Sequence, residues 1–323
     1  MKNRLSTIGR VLISVSLIVI LLYIMRDKYG EIFGRLKETS LALFSLALIA
    51  FSCAIAVASV RLKLIIESQD IQVAFREVLS LSLIGYFFNN FLPTTIGGDV
   101  AKAYYLSRKG EEKMASYASV VVDRLIGLLT MIFMAFAALV VAGGRVGDPI
   151  IRTSIYAITL ASLLAVLFMV NKRFAKAFSF FLFFLKPLEE KLKKAYNVVH
   201  KYKNHKMLIY KSFLISIVSQ LLFFFSLAML IFSIGSRVTL IDILVRIPLV
   251  SVLSLLPSIN GLGLREGSTV FLFGPLIGNG NAFAVSILWL AILFIISIIG
   301  GLIYAISPQF KMNLKEVTQY GVS

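Results

Sequence analysis

Six stretches of this chain are apolar and close to the roughly 20 residues that a helix needs to cross a bilayer. They cover residues 7–25, 41–60, 115–142, 150–170, 208–234 and 281–306. In lipid, such runs must be helical, because only a helix pairs every backbone polar group within the segment. The 323 residues are 59% hydrophobic, with a mean hydropathy of +0.90. We therefore expect an all-α polytopic membrane protein that forms a single membrane domain over residues 1–323.

Two further apolar runs are shorter, at 77–92 and 242–256, and each ends in Leu-Pro followed by glycine. The breaks read LPTTIGGD at 92–99 and LPSINGLGLRE at 256–266, and a second helical stretch follows each, near 99–110 and 264–275. Irregular backbone at membrane depth is tolerated only inside protein or beside water. We expect two re-entrant helix hairpins. The alternative is a pair of proline-kinked helices without a site.

The distribution of lysine and arginine predicts the orientation. Residues 171–211 carry eleven basic and two acidic residues, so the positive-inside rule places this segment in the cytoplasm. Counting outward, the first hairpin enters from the cytoplasm and the second from outside, and both termini are cytoplasmic. Part of the basic segment, 171–207, mixes basic with aromatic residues, which is typical of an interfacial helix on anionic lipid.

The order span, hairpin, span occurs twice, in repeat A (41–142) and repeat B (208–306). If each hairpin returns to its own side, the two units have opposite orientations. This is the pattern of an inverted repeat, in which broken helices meet near the midplane and build a binding site. The opposed helix N-termini would present positive dipole ends to that site, which suits a phosphate-bearing ligand.

Few ionisable residues lie in or near the apolar runs, and such residues are functional candidates because a charge at membrane depth is costly. Asp99, at the first break, is expected either to cap the helix that follows or to line a polar cavity, where it would pair with arginine or exchange protons. Asp123 and Arg124 lie inside the span 115–142. Arg124 is expected to pair with a nearby carboxylate or to bind an anionic head group.

Arg265 and Glu266 follow the second break. Because adjacent side chains on a helix diverge by about 100°, we expect each to find its partner elsewhere rather than in the other. The remaining candidates are polar or small residues beside the breaks. They are Asn89, Asn90, Thr94, Gly97, Gly98, Lys102 and Gly263. The asparagine amides are expected to satisfy freed carbonyls or to line the cavity, and the same alternatives hold for the threonine. Lys102 falls three residues after Asp99 on one helix face and is expected to be its local partner.

Several function classes lack their sequence signatures. The chain has one cysteine, two histidines that both lie in the basic segment, and no HExxH spacing, so no metal site is expected. The sequence contains no GxxxxGK[ST] motif for ATP hydrolysis, and no histidine is expected near the membrane core to serve a hydrolase. We expect no cofactor and no catalytic residue. The net charge of +17 follows from membrane topology and does not indicate a nucleic-acid partner.

The segments NNFLPTTIGGDVAKAYYLSRKGEEKMASYASVVVDRLIG (89–127) and LPSINGLGLREG (256–267) resemble the lysylphosphatidylglycerol synthase transmembrane-region family of flippase-like membrane proteins. The resemblance covers nearly the whole chain. The shared features, in order, are Asn90, Leu92-Pro93, Gly97-Gly98-Asp99, Arg124 with Gly127, and Gly263 with Arg265-Glu266. Asn260 stands where relatives often have glycine.

The resemblance implies a lipid translocase. The best-known members move an aminoacylated phospholipid and carry a cytosolic synthase domain after the spans, whereas this chain ends at Ser323 and resembles the stand-alone members. We expect translocation of an anionic phospholipid or polyprenyl-phosphate-linked lipid in the cell membrane. The alternatives are a glycosyl or phosphoryl transferase acting on a lipid carrier, and a non-transporting accessory subunit. The expected partners are anionic lipid head groups, and a homodimer through apolar faces stays open.

Overall fold

The computed structural model describes residues 15–16, 19–91, 97–109, 113–170, 202, 205–256, 258 and 260–310. Within these ranges the chain is helical and contains no strand. The predicted span 7–25 lies largely outside the described residues, as do the segment 171–207, Thr94 and the C-terminus from residue 311. Residues 15–16 and 19–25 are also helical, and a short 3-10 turn, Arg26–Lys28, leads from them into ten further α-helices of the described residues.

The ten helices fall into an entry helix and two similar groups. The entry helix is α1 (Tyr29–Lys37). The first group contains α2 (Leu41–Glu67), α3 (Phe75–Phe91), α4 (Gly97–Ser107) and α5 (Lys113–Ala142). After α6 (Pro149–Val170), the second group contains α7 (Lys206–Ser233), α8 (Leu240–Leu253), α9 (Leu264–Ile277) and α10 (Asn279–Ile306).

Five described helices are long and apolar enough to cross a membrane. They lie at five of the six predicted spans, so the prediction of a polytopic helical membrane protein is confirmed for this part of the chain. The described spans are Leu41–Glu67, Ala115–Ala142, Pro149–Leu167, Lys206–Ser233 and Asn279–Ile306. The helices at both Leu-Pro breaks also end and restart within three residues of the predicted positions.

The two groups pack by the same plan. In the first, α3 contacts α2 and α4, and α4 contacts α5; in the second, α8 contacts α7 and α9, and α9 contacts α10. Between the groups, α3 packs on α10 and α8 packs on α5, while α2 and α7 form the most extensive helix pair in the centre. The pattern of contacts is therefore unchanged when the two groups are exchanged.

Serine hydroxyls connect the central pair α2 and α7. Ser219 donates a hydrogen bond to the carbonyl of Ala54 at 3.0 Å, and Ser226 donates to the carbonyl of Ala47 at 2.7 Å. Small side chains let two helix backbones approach closely, and hydroxyls then bond across the contact. The central pair thus contributes both close packing and polar contacts between the two groups.

Glycines allow the first broken helix to pack closely. A Cβ at Gly98 of α4 would overlap the carbonyl of Gly85 in α3, and a Cβ at Gly300 of α10 would overlap the carbonyl of Leu83. Neither position has room for a side chain, because backbone atoms fill the space. The backbone of α3 is therefore in direct contact with the backbones of α4 and α10.

Each broken helix folds back on itself as a hairpin. Near the start of α3, Glu77 accepts hydrogen bonds from Lys109, just beyond α4, at 2.6 and 2.7 Å. In the middle of α8, Arg246 donates a hydrogen bond to the carbonyl of Leu272, in the second half of α9, at 2.6 Å. In the first hairpin the chain therefore leaves close to where it entered, and in the second the two helices pack on each other.

Candidate substrate cavity

Two adjoining pockets lie between the two hairpins and the long helices α2, α5 and α7. The first has a volume of about 420 Å³ and the second about 400 Å³, and they share Arg61, Tyr86, Asn89, Arg124 and Gln220 in their walls. We call the first the charged lobe, because Asp99, Lys102 and Asp123 also line it. We call the second the serine lobe, because Ser219, Ser251 and Ser254 line it, together with Asn260 and Arg265.

Asp99 lies in the first turn of α4 and faces two cations. It accepts a hydrogen bond from Arg124 of α5, and the ammonium of Lys102 lies 3.6 Å from its other oxygen. The Arg124 side chain is 38% exposed, whereas that of Asp99 is 21% exposed. Arg124 is therefore the member of this group that presents most of its side chain to the lobe.

Asn89 closes the tip of the first hairpin. Its side-chain oxygen accepts a hydrogen bond at 2.7 Å from the backbone N–H of Gly98, one of the free amides at the start of α4. The sequence suggested that the asparagines serve free carbonyls, but Asn89 serves a free N–H instead. Gly97, the first residue of α4, is buried beside it.

Asp123 is paired with Arg61, a residue that sequence reasoning missed. The guanidinium of Arg61 donates to both carboxylate oxygens, from Nε at 2.7 Å and from Nη2 at 3.0 Å, and also bonds the hydroxyl of Ser216. Gly127 leaves room for it, since a Cβ there would lie 3.0 Å from Nη1 of Arg61. The ion pair thus connects α2 with α5 and reaches α7.

The apolar run 41–60 ends one residue before Arg61, so the run alone does not indicate a charge at membrane depth. In the structure α2 continues to Glu67, so Arg61 lies almost two turns before its end. The available signal was the unbroken helical pattern RLKLIIE after the apolar run.

Arg265 and Glu266 bond to each other, so the expectation that each pairs elsewhere is wrong. Glu266 folds back to accept the N–H of Gly263 at 2.6 Å, and Nη2 and Nε of Arg265 then reach its other oxygen at 2.5 and 3.1 Å. Their Cα–Cβ bonds diverge, but both side chains are long and bend back over the helix N-terminus. Gly263 has φ +85°, a backbone conformation that favours glycine.

This second ion pair is closed and buried. The side chains of Arg265 and Glu266 are 5% and 7% exposed. The guanidinium of Arg265 lies 5.7 Å from the ring centroid of Trp289 in α10, within the range of a cation–π contact. The acid of the second hairpin is therefore neutralised within its own helix, whereas Asp99 is neutralised by Arg124 from α5 and by Lys102.

The two breaks in the chain meet. The side-chain amide of Asn260, in the loop before α9, donates a hydrogen bond to the side-chain oxygen of Asn90, near the end of α3. Asn260 has φ +48°, in the left-handed region that asparagine tolerates better than most residues. This contact accounts for an asparagine at a position where glycine would also fit the backbone.

The base of the first hairpin carries a charge cluster outside the five candidate spans. The hydrogen bond from Lys109 lowers the pKa of Glu77, and burial opposes this effect. The hydroxyl of Tyr105 lies 3.5 Å from Glu77, and its ring packs against Phe310 at a centroid distance of 4.9 Å. These contacts connect the two ends of the first hairpin.

Comparisons with known proteins identify the family of this chain. Residues 8–301 match the model of the family described as the lysylphosphatidylglycerol synthase TM region. The chain is 33% identical over 138 residues to a protein of Methanocaldococcus jannaschii named UPF0104 membrane protein MJ1595. That match covers 42% of this chain and 40% of the relative, so it spans less than half of either protein. Because the family model covers nearly the whole chain, this protein belongs to the lysylphosphatidylglycerol synthase transmembrane-region family.

Proposed function

We propose that this protein moves an anionic lipid, either a phospholipid or a polyprenyl-phosphate-linked species, between the two leaflets of the membrane. The head group passes through the two lobes while the tails stay in lipid. The protein acts as a transporter and leaves the lipid chemically unchanged. The family is described as a transmembrane region, which supports this proposal. The proposal rests chiefly on the charge of the cavity.

The charged lobe holds more positive than negative groups. Its described wall contains three basic residues, Arg61, Lys102 and Arg124, and two acidic residues, Asp99 and Asp123, which leaves one positive charge in excess. Away from bulk water a charge interacts strongly with an ion of opposite sign. A phosphate group compensates this excess, while the two carboxylates keep the binding weak enough for release.

The hairpins support a site near the middle of the membrane. At about 1.5 Å per residue, the 17 residues of α3 and the 14 of α8 extend roughly 25 and 21 Å, less than the hydrocarbon thickness of about 30 Å. Because the first hairpin leaves close to where it entered, and α9 packs back on α8, we propose that both hairpins are re-entrant. The exchange symmetry of the helix contacts supports an inverted repeat with the cavity at its centre.

We propose the orientation of the protein in the membrane from its distribution of lysine and arginine. The basic segment 171–207 belongs in the cytoplasm by the positive-inside rule, and so does the base of the first hairpin with Lys109. The second hairpin then opens to the outside. The contact between Asn90 and Asn260 lies where the two hairpins meet.

Leaflet exchange in liposomes tests the proposal. The purified protein is reconstituted with lipids that carry a fluorescent label on one tail, and an impermeant reductant quenches the outer leaflet. Phosphatidic acid, phosphatidylglycerol and a labelled polyprenyl phosphate are compared with phosphatidylcholine. We expect the protein to accelerate the exchange of at least one anionic lipid and to have little effect on the zwitterionic one.

Two variants make the test specific. Arg124→Gln removes the most exposed cation of the charged lobe and should reduce the exchange by at least tenfold, since a bond to a charged group contributes about 1.5–3 kcal/mol. Arg152→Gln is the matched control, because Arg152 is exposed on α6, outside both lobes. An unchanged rate in Arg124→Gln, or no exchange of any anionic lipid by the folded wild-type protein, contradicts the proposal.

A further inference from the structure

The entry helix α1 has an apolar side of which one half is buried and the other half is exposed. Ile32 is 3% exposed and belongs to the main apolar core, and Leu36 packs against that core. Tyr29 and Phe33, spaced four residues apart, lie beside this pair on the helix surface. They are 37% and 63% exposed. An apolar stripe therefore extends from the core of the protein onto the surface of α1.

The opposite side of α1 is polar. Arg35 and Glu38, the residue that ends the helix, lie 3.8 Å apart, and their side chains are 43% and 73% exposed. At about 100° per residue, Phe33 and Glu38 are about 140° apart around the helix axis. Residues 26–38 include four basic and three acidic residues. The segment is therefore amphipathic and has little net charge.

The position of α1 in the fold is at one end of two spans. The chain passes from α1 into α2 at Ser40, whose backbone N–H donates to the carbonyl of Ser233, the last residue of α7, at 2.8 Å. Both α2 and α7 are candidate spans. The nine residues of α1 extend about 14 Å, too short to cross roughly 30 Å of hydrocarbon. The helix therefore lies at an edge of the membrane and is not itself a span.

Exposed apolar side chains also precede and follow α1. Tyr23 is 65% exposed, and Leu41, the first residue of α2, is 78% exposed. The guanidinium of Arg26 lies 4.4 Å from the ring centroid of Tyr23, and the hydroxyl of Tyr29 donates to the carbonyl of Leu22 at 2.9 Å. Tyrosine is enriched at membrane interfaces, because its ring is apolar and its hydroxyl is polar. The exposed side of α1 thus continues a surface suited to lipid.

We propose that α1 is an interfacial helix whose exposed apolar face, formed by Tyr29 and Phe33, contacts the lipids of the leaflet in which α2 begins. Acyl chains cover these two rings, while Arg35 and Glu38 face water. Because the segment is nearly neutral, apolar contact holds the helix and no anionic lipid is needed. Ile32 and Leu36 connect this contact to the core of the protein. The proposal does not depend on which lipid the protein transports, or on whether it transports one.

The accessibility of a spin label tests the proposal. In a Cys53→Ser background, Phe33→Cys and Glu38→Cys each carry one nitroxide label on the full chain, reconstituted in phosphatidylcholine vesicles. Collisions with oxygen, which concentrates in lipid, are compared with collisions with a water-soluble nickel chelate present on both sides of the membrane. Wild-type protein labelled at Cys53, which is exposed in the middle of α2, provides the reference for acyl chains.

We expect collisions with oxygen to dominate at position 33, as at Cys53, and collisions with the nickel chelate to dominate at position 38. Phe33 is mostly exposed, so the label displaces no core side chain. The same order is expected in phosphatidylglycerol vesicles. Oxygen dominance at position 33 only in those vesicles would contradict the apolar contact.

Two other results overturn the proposal. If the nickel chelate dominates at position 33 as it does at position 38, α1 lies in water. If both reagents rarely reach the label at position 33, protein covers this face, and dipolar broadening between labels would identify a second copy of the chain as the cover.

Discussion

Arg61 of α2 and Asp123 of α5 form an ion pair at two points, with Nε to Oδ1 at 2.7 Å and Nη2 to Oδ2 at 3.0 Å. The two side chains are 8% and 14% exposed, so the pair is largely removed from water. It fixes Asp123 beside Arg124, the residue that neutralises Asp99. The charge pattern of the cavity thus depends on a partner from a different helix.

Replacing one member of this ion pair should destabilise the protein. Arg61→Met leaves the carboxylate of Asp123 buried without its partner, and we expect a loss of about 3–5 kcal/mol. The double variant Arg61→Met, Asp123→Leu should recover much of that loss, because both charges are absent. Thermal unfolding in detergent measures the difference.

The control for this prediction lies on the same helix. Lys63 and Glu67 pair at 2.6 Å, and both side chains are 29% exposed. Lys63→Met should cost no more than about 0.5 kcal/mol, as is typical of a pair spaced four residues apart on a helix surface. An equal effect of Arg61→Met and Lys63→Met would contradict the role assigned to Arg61.

Gly98→Ala should disrupt the first hairpin. The new Cβ overlaps the carbonyl of Gly85, and neither backbone can move far because α3 is also packed on α10. We expect a loss of about 1–3 kcal/mol and a lower unfolding midpoint. Gly267→Ala, in the corresponding first turn of α9, has open space around the new Cβ and should not lower the midpoint.

The Glu77–Lys109 contact should make stability depend on pH. Because the pKa of Glu77 is lowered below its ordinary value of 4.5 by the bond from Lys109, the folded state binds this proton less tightly than the unfolded chain does. The stabilisation is fully present above pH 4.5 and is lost as the pH falls through the lowered value. Unfolding midpoints measured from pH 7 downward should show a smaller decline in Glu77→Gln than in wild type. Parallel curves for the two proteins would rule out this contribution.

The contact between Asn90 and Asn260 predicts a crosslink between the two hairpins. In a Cys53→Ser background, Asn90→Cys with Asn260→Cys should form a disulfide under mild oxidation, because the two side chains touch. Oxidation should slow lipid exchange if the hairpins separate during transport, and reduction should restore it. Mass spectrometry identifies the bond, and failure to crosslink in folded protein would place the two breaks apart.

Some interactions could be anticipated from sequence, and others could not. The Leu-Pro-Gly breaks determine where α3 and α8 end, because proline removes a backbone donor and glycine favours a turn. The partners of the charged residues were harder to predict from the sequence. Arg265 and Glu266 looked divergent on a helix, but their long side chains meet because Glu266 bends back to the N–H of Gly263. Such a contact depends on side-chain conformation and local backbone, which residue spacing does not specify.

By itself, the sequence of this protein determined the membrane class, the five described spans, the positions of the two helix breaks and the scarcity of charge in the apolar region. These properties are local, since they follow from apolar length and from the chemistry of proline and glycine. Only the tertiary structure decided that Arg61 pairs with Asp123, that Asn90 meets Asn260, and that carboxylates line one lobe but not the described wall of the other. Those contacts join residues far apart in the chain, and the packing of α2, α5 and the two hairpins brings them together.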